Sequence, residues 1–299
     1  MILNVERINK SYGKENILQN ITFQIEEPTI MAIVGPNGSG KTTLLNIITN
    51  LIEADDGEIR ILNKSHKDPN IFREISYMQD YSVLYNYLTG YDHLQFIGDI
   101  QGISKQQILS TAQSIGIKSY LNKKVGKYSL GMNQHLLLTM AILNRPKLLI
   151  LDEPFNGLDP TSAIRLRNLL LELHDKGTTI LLSSHNLSEI DRITTHILFL
   201  KDGRFIQDDL SQYENDCYIL KTDQLEQAQE VLKQMGVTFH HIEDHQIYFF
   251  HHHIPIQTIL FELLNQQITI IDFDKKIMGS EYRYQEIFGQ KDVRDNETG

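Results

Sequence analysis

The sequence predicts an α/β fold followed by a small α+β domain of ferredoxin-like plan, and three observations predict it. Strand-type and helical patterns alternate through the first part of the chain. One apolar strand runs through a glycine-rich loop into a helix. After Gln212 the order becomes β, α, β, β, α, β. The expected boundaries are 1–212 for the first domain, 213–288 for the second and 289–299 for a polar, disordered tail. A length of 299 residues accommodates one large core and a smaller one.

Each element has a local reason. "NVERIN" and "ITFQIE" alternate apolar and polar residues, as half-buried strands do, with a turn-rich "KSYGKEN" between them. "TIMAIV" is nearly continuous in apolar residues, which suits a strand buried on both faces. "LLNIITNLI" then has helical spacing, and "GEIRIL" reads as an edge strand after the turn signal at Asp55, Asp56 and Gly57. From about Tyr85 the pattern turns helical, giving a helical insert over about 85–145. "YDHLQFIGDIQ", "SKQQILSTAQSIG" and "SYLNKKV" are expected as short amphipathic helices, and "MNQHLLLTMAIL" as a further helix. "KLLIL" is a strand. "DPTSAIRLRNLLLELHDKG" is a helix with Asp159 as N-cap, Pro160 in its first turn and Gly177 as its stop. "TTILLSS" is a strand, "NLSEIDRI" a short helix, and "HILFLKDGRFI" a hairpin around Asp202-Gly203. In the second domain the strands are "DCYILKT", "VTFHHI", "QIYFFHH" and "ITIIDFD", the helices "DQLEQAQEVLKQMG" and "PIQTILFELLNQQ", with "SEYRYQEIF" as a last helix.

Composition excludes several classes. A formal charge of −10 argues against nucleic acid as a partner, which needs a basic surface. The single cysteine, Cys217, leaves no intrachain disulfide and fits a reducing compartment. The start "MILNVERINKSYG" lacks the pattern of a secretory leader. No run of roughly 18 apolar residues is present, so a cytoplasmic location is expected, with peripheral attachment to the membrane through a partner left open.

"GPNGSGKTT" satisfies G-x-x-x-x-G-K-[ST] in the strand–loop–helix context that the motif requires, the mark of a P-loop NTPase. Gly35, Pro36, Asn37, Gly38, Ser39 and Gly40 form a loop whose backbone N–H groups can curl around phosphates; Lys41, Thr42 and Thr43 open the helix whose N-terminus adds its positive end. Lys41 is expected on the β- and γ-phosphates of ATP, and Thr42 on Mg²⁺. "LLILDEP" delivers two carboxylates to the carboxyl edge of the sheet. Asp152 is placed for the Mg²⁺ shell, and Glu153 to deprotonate the attacking water.

With these residues in hand, the chain resembles the ATP-binding subunits of ABC transporters over roughly residues 1–210. The resemblance implies further roles. Tyr12 matches the residue that stacks on adenine, and Gln79 the glutamine that touches the metal and senses the membrane subunit. Tyr128 to Met132 fall at the signature, which contacts ATP held by a second copy. Asp159, in "NGLDP", matches the loop that crosses to that copy, and His185 the histidine that contacts the γ-phosphate. The implied architecture is a P-loop NTPase with ABC-type antiparallel β and helical subdomains. The implied mechanism is an ATP-closed dimer that hydrolysis reopens, coupled to a separate transmembrane permease through the helical insert. A homodimer suffices; a heterodimer is the alternative. The aromatic stripe of "DYSVLYNYLTG" suits docking and core equally.

The signature departs from the family's L-S-G-G-Q. Ser129 and Gly131 are retained, whereas Leu130 and Met132 replace a glycine and the glutamine. Ser129 supplies a hydroxyl and an N-cap, and Gly131 permits close approach of the backbone. "YSLGM", "NGLDP" and the C-terminal appendix look most like the bacterial bacitracin, lantibiotic and multidrug exporter subgroup. A soluble non-transport ATPase and an importer ATPase are the alternatives. Six of the twelve histidines fall between His240 and His253; a metal site there competes with a plain polar hairpin, because consecutive strand residues point to opposite faces.

Overall fold

The structure, a computed structural model, describes residues 1–206, 216–243, 246–250, 254–277 and 280–288. Two units follow one another, Met1–Asp208 and Asp209–Gly299. The boundary expected between 212 and 213, and the tail 289–299, lie outside the described residues.

The first unit opens on a long antiparallel hairpin, β1 (Leu3–Tyr12) with β2 (Glu15–Ile25). The stretch "KSYGKEN", expected as a turn-rich connection, is mostly ladder: Ser11 faces Asn16 and Tyr12 faces Glu15, leaving Gly13 and Lys14 at the tip. β3 (Ile30–Val34) runs through the glycine loop into α1 (Lys41–Ile48), which is followed by β4 (Asp56–Ile61) and β5 (Lys64–Ser65). These strands make a four-stranded sheet in the order β2-β1-β4-β5, with β3 in a different sheet. α1 packs on both sheets: Leu44, Leu45, Ile47 and Ile48 share one core with Ile8, Ile21 and Ile59 on one side and Ile33, Ile150 and Leu181 on the other. Burial of such side chains stabilises by about 1.5–3 kcal/mol each, so the helix after the loop is held along its whole apolar face.

β6 (Ile75–Met78) precedes the helical insert: α2 (Gly90–Gln101), α3 (Lys105–Ile115) and α4 (Leu130–Ile142). Thr89 and Asp92 cap α2 reciprocally, and Ser104 caps α3, with Gly102 and Gly116 ending them. "SYLNKKV" is not a helix. Its backbone is bonded to the start of α2 instead: Tyr91 N–H donates to Leu121 O at 2.9 Å and Val125 N–H to Leu88 O at 2.8 Å. β7 (Leu148–Leu151), α5 (Pro160–Asp175), β8 (Thr179–Ser184), α6 (Leu187–Ile190), β9 (Ile197–Lys201) and β10 (Arg204–Ile206) complete the unit. The second sheet has the order β10-β9-β3-β8-β7-β6, parallel except for β10.

The second unit contains β11 (Asp216–Lys221), α7 (Leu225–Gln234), β12 (Thr238–Glu243), β13 (Gln246–Phe250), α8 (Ile256–Asn265), β14 (Asp272–Ile277) and α9 (Ser280–Phe288). Its antiparallel sheet has the order β12-β13-β11-β14, around a core of Leu220, Leu232, Ile247, Phe249, Ile259 and Leu263. The stretch "ITIIDFD" enters the sheet later than its pattern suggests. Ile268 is buried under α8, Gln267 has φ +58°, and pairing starts only at Asp272 opposite Lys221. Of the clustered histidines, His240 and His241 belong to β12, whereas His245, His251, His252 and His253 lie outside the described residues. Among the described residues no group of three metal-ligating side chains gathers.

Candidate active site

Strand register assembles the site. In the parallel sheet Val34 pairs with Ser184, Leu151 with Leu182, and Met78 with Leu151. The residues that follow therefore emerge side by side at the carboxyl edge: the loop from Gly35, Gln79, Asp152 with Glu153, and His185. Asp152 N–H donates to Met78 O at 2.9 Å, which ties the end of β7 to the residue before Gln79.

The loop Gly35 to Gly40 wraps the N-terminus of α1. Gly40, at φ +101°, is pressed against β2, and a Cβ there would come within 3.1 Å of both Ile17 and Leu18 side-chain carbons. Lys41 is 5% exposed, and its ammonium turns back on the loop, donating to Gly35 O at 2.8 Å and Pro36 O at 3.2 Å. It also lies 3.4 Å from Glu153 Oε1. A buried cation held only by neutral carbonyls and one carboxylate is poised for stronger anionic partners. Thr42 and Thr43 complete the first turn, and the buried Ser39 hydroxyl finds no partner among the described residues.

Asp152 accepts a hydrogen bond from Ser183 Oγ at 2.5 Å and another from the Thr42 hydroxyl. Burial pushes its carboxyl above the ordinary range, against those two bonds, which favour the ionised form. Thr42 and Asp152, with Gln79 on the adjacent strand end, are an oxygen donor set that fits Mg²⁺. The raised value has a testable sign. Below the unfolded value the native protein is stabilised by binding the proton; that contribution is lost as pH rises through the folded value. Above the ordinary aspartate value, metal-free Asp152 therefore costs stability. Asp152→Asn is expected to raise the Tm of the metal-free protein at pH 7, with the gain shrinking as pH falls toward the ordinary aspartate value. Thermal melts across that range check this, and an equal or lower Tm for the variant at pH 7 contradicts it.

Glu153 is a non-glycine residue at φ +46°. Such a conformation costs about 1–3 kcal/mol and persists where its surroundings over-determine it. Here Glu153 N–H donates to Ser183 Oγ at 2.9 Å, and Asn156 N–H donates to Glu153 O at 3.1 Å. Its Oε2 receives His185 Nδ1–H at 2.8 Å and the His185 backbone N–H at 3.3 Å. The carboxylate facing Nδ1 favours the proton there. His185 is steadied from behind by Asn186 N–H on Ser184 Oγ (2.9 Å) and by the mostly buried Arg167–Glu189 ion pair (3.0 Å), which joins α5 to α6.

Ser129, Leu130, Gly131 and Met132 form the cap and first turn of α4, with Ser129 and Leu130 exposed; Ser129 Oγ accepts Met132 N–H at 3.3 Å. Asp159 caps α5 through Thr161 N–H (3.0 Å), Ser162 N–H (3.1 Å) and Ser162 Oγ–H (2.7 Å); the Ser162 bonds hold its carboxyl below the ordinary range. Tyr12 ends β1, half-exposed, with the Lys10 ammonium 5.4 Å over its ring. So the loop, Gln79, Asp152, Glu153 and His185 share one sheet edge, while Tyr12 and the Ser129 turn stand on other elements. Two participants escaped the sequence reading. Ser183 sits inside a stretch read simply as strand, and the buried Gln134 lies two residues past the signature.

Residues 18–156 match the sequence family described as ABC transporter. The lantibiotic transport ATP-binding protein SrtF of Streptococcus pyogenes is 35% identical over 69% of this chain and 89% of its own length. The bacitracin transport ATP-binding protein BcrA of Enterococcus faecalis is 33% identical over 69% of this chain and 68% of its own. Among solved structures, an ATP-binding subunit of an ABC transporter superposes with a TM-score of 0.65 at 25% identity, covering 88% of this chain and all of that one. A dimeric cassette in a post-hydrolysis state with ADP and Pi superposes with a TM-score of 0.63 at 24% identity, over 70% of this chain and 98% of that one.

Proposed function

We propose, from the premise that this chain belongs to the ABC transporter ATP-binding family, that it drives a separate membrane permease exporting antimicrobial peptides, drugs or related amphipathic compounds. ATP binding and hydrolysis come with the family. Export is supported by the relatives named for lantibiotic and bacitracin transport. A separate permease is what the family implies, and no helix among the described residues is long and apolar enough to cross a membrane. On this reading the protein sits at the cytoplasmic face of the membrane through that permease, as a homodimer.

The observation that carries the catalytic reading is the Lys41–Glu153–His185 arrangement at the mouth of the glycine loop. The loop N–H groups and Lys41 bind the β- and γ-phosphates, which draw Lys41 off the loop carbonyls and off Glu153. Thr42, Gln79 and Asp152 would hold Mg²⁺, which would supply neutralisation of phosphate charge. Glu153 orients the water and takes its proton, and His185 braces the γ-phosphate while holding Glu153. Tyr12 stacks on the adenine. Ser129, Leu130, Gly131 and Met132 contact the ATP of the other copy, whose approach Asp159 helps to shape.

The helical insert offers a permease a docking face. Tyr87 is 66% and Phe96 67% exposed, with Tyr81, Tyr85 and Ile100 also at the surface. Exposed apolar side chains in such number mark interaction sites. Tyr87→Asp with Phe96→Asp is expected to abolish co-purification with the permease while ATP binding persists; unchanged co-purification contradicts docking here. The function itself is tested by reconstituting the chain with a candidate permease and measuring ATPase activity with bacitracin, a lantibiotic and a sugar. Stimulation by the first two supports export of such compounds, and stimulation by the sugar alone overturns it.

A further inference from the structure

The first turns of α4 do more than present a signature to a partner. Gln134 is 6% exposed, and its amide Nε2 donates to Pro154 O at 3.0 Å and Glu153 O at 3.3 Å. Facing two carbonyls, the amide nitrogen is the only end that satisfies both. One turn earlier, on the same face of the helix, Leu130 lies against Gly157, whose φ is +71° and where a Cβ would run into the leucine side chain. The helix therefore grips the backbone that follows β7 at two points, the Glu153–Pro154 carbonyls and Gly157, four residues past the base. Glu153, in its left-handed conformation, is the first of the gripped residues.

We propose that Gln134 is a positioning residue for hydrolysis, fixing the Glu153 backbone so that the carboxylate meets water and His185 in the productive direction. Leu130 on Gly157 completes the grip. The consequence is a mechanical link between two sites. The helix that contacts ATP bound to the other copy is hydrogen-bonded to the base serving the ATP of its own chain. Occupancy of one site thus bears on the geometry of the other through residues 129–134 and 153–157.

This inference rests on Glu153 being the base, and the experiment separates the two. In the full chain, Gln134→Ala is expected to lower kcat roughly 10–100-fold, the scale of a misplaced catalytic group. KM for ATP and monomer ADP affinity stay within about twofold, since phosphate contacts are untouched. Gln134→Glu gives a readout that loss of packing does not. Ionised, it sets a carboxylate against two carbonyls; protonated, it regains one donor. Its kcat, relative to the unsubstituted protein at each pH, is expected to recover as pH falls. Normal kcat in Gln134→Ala, with Glu153→Gln inactive, overturns the positioning role. Loss of ADP binding in Gln134→Ala, or a relative kcat of Gln134→Glu that does not change with pH, also overturns it. Normal turnover in Glu153→Gln overturns the assignment of the base instead.

Discussion

Glu153→Gln is expected to lose turnover by at least roughly 100-fold, the lower end of what a positioned general base contributes. The amide is nearly isosteric, so the backbone bonds at Glu153, to Ser183 and from Gln134 and Asn156, are kept. What disappears is the proton acceptor. The change also removes the charge that Lys41 faces at 3.4 Å in the nucleotide-free protein. Lys41 is then held by the two loop carbonyls alone, and its transfer to a β-phosphate costs less. ADP affinity is therefore expected to be equal or tighter than in the unsubstituted protein, and an ATP-bound dimer to accumulate. Size-exclusion chromatography with ATP or ADP, beside a phosphate-release assay, reads all three quantities. Normal phosphate release shows that another group takes the proton. Weaker ADP binding shows that the Lys41–Glu153 contact does not oppose nucleotide entry.

Part of this site was legible because its residues lie at fixed places in simple patterns. A buried strand followed by "GPNGSGKTT" can hardly fold except as strand, phosphate loop and helix, and "LLILDEP" states where the next strand stops. Once both strands lie parallel in one sheet, register alone brings Gly35, Asp152 and His185 to one edge. The remainder depends on tertiary partners that pattern does not encode. Ser183 alternates within a strand like any buried small residue, and only the register Leu151↔Leu182 sets it beside Asp152 and Glu153. Gln134 reads as the middle of three polar residues, Asn133, Gln134 and His135, near the start of a helix that is apolar beyond them, and nothing in the pattern marks it as the buried one. "SYLNKKV" has helical spacing, yet its backbone groups are taken by Leu88 and Tyr91. "ITIIDFD" alternates early because Ile268 packs under a helix before the chain reaches its strand partner.

The divergent signature gives the second large effect. Ser129→Arg is expected to abolish dimer-dependent hydrolysis, by at least roughly 100-fold, the scale of losing one preorganised oxyanion donor. Ser129 is exposed at the N-terminus of α4, where its hydroxyl accepts Met132 N–H and where free N–H groups favour an anion. Arginine removes the cap, at about 0.5–2 kcal/mol. It also sets bulk and positive charge where a partner's γ-phosphate would lie against those N–H groups. Loss of the cap alone would be an uninteresting cause, so Ser129→Asp is the control: it keeps an N-cap acceptor and repels phosphate. Both variants are expected to fail in hydrolysis and to bind ADP normally as monomers. Leu130 and Met132 contribute backbone rather than side-chain contacts on this reading, so Met132→Gln is expected to change turnover far less. A mixed dimer sharpens the test. With Glu153→Gln on one chain and Ser129→Arg on the other, both lesions fall on the same composite site and the second site is intact. With both substitutions on one chain, each site carries one lesion. Turnover in the first arrangement and none in the second is the expected result. Turnover in the second arrangement and none in the first would mean that the Ser129 turn serves its own chain's ATP, and equal activity in the two would mean that it serves none.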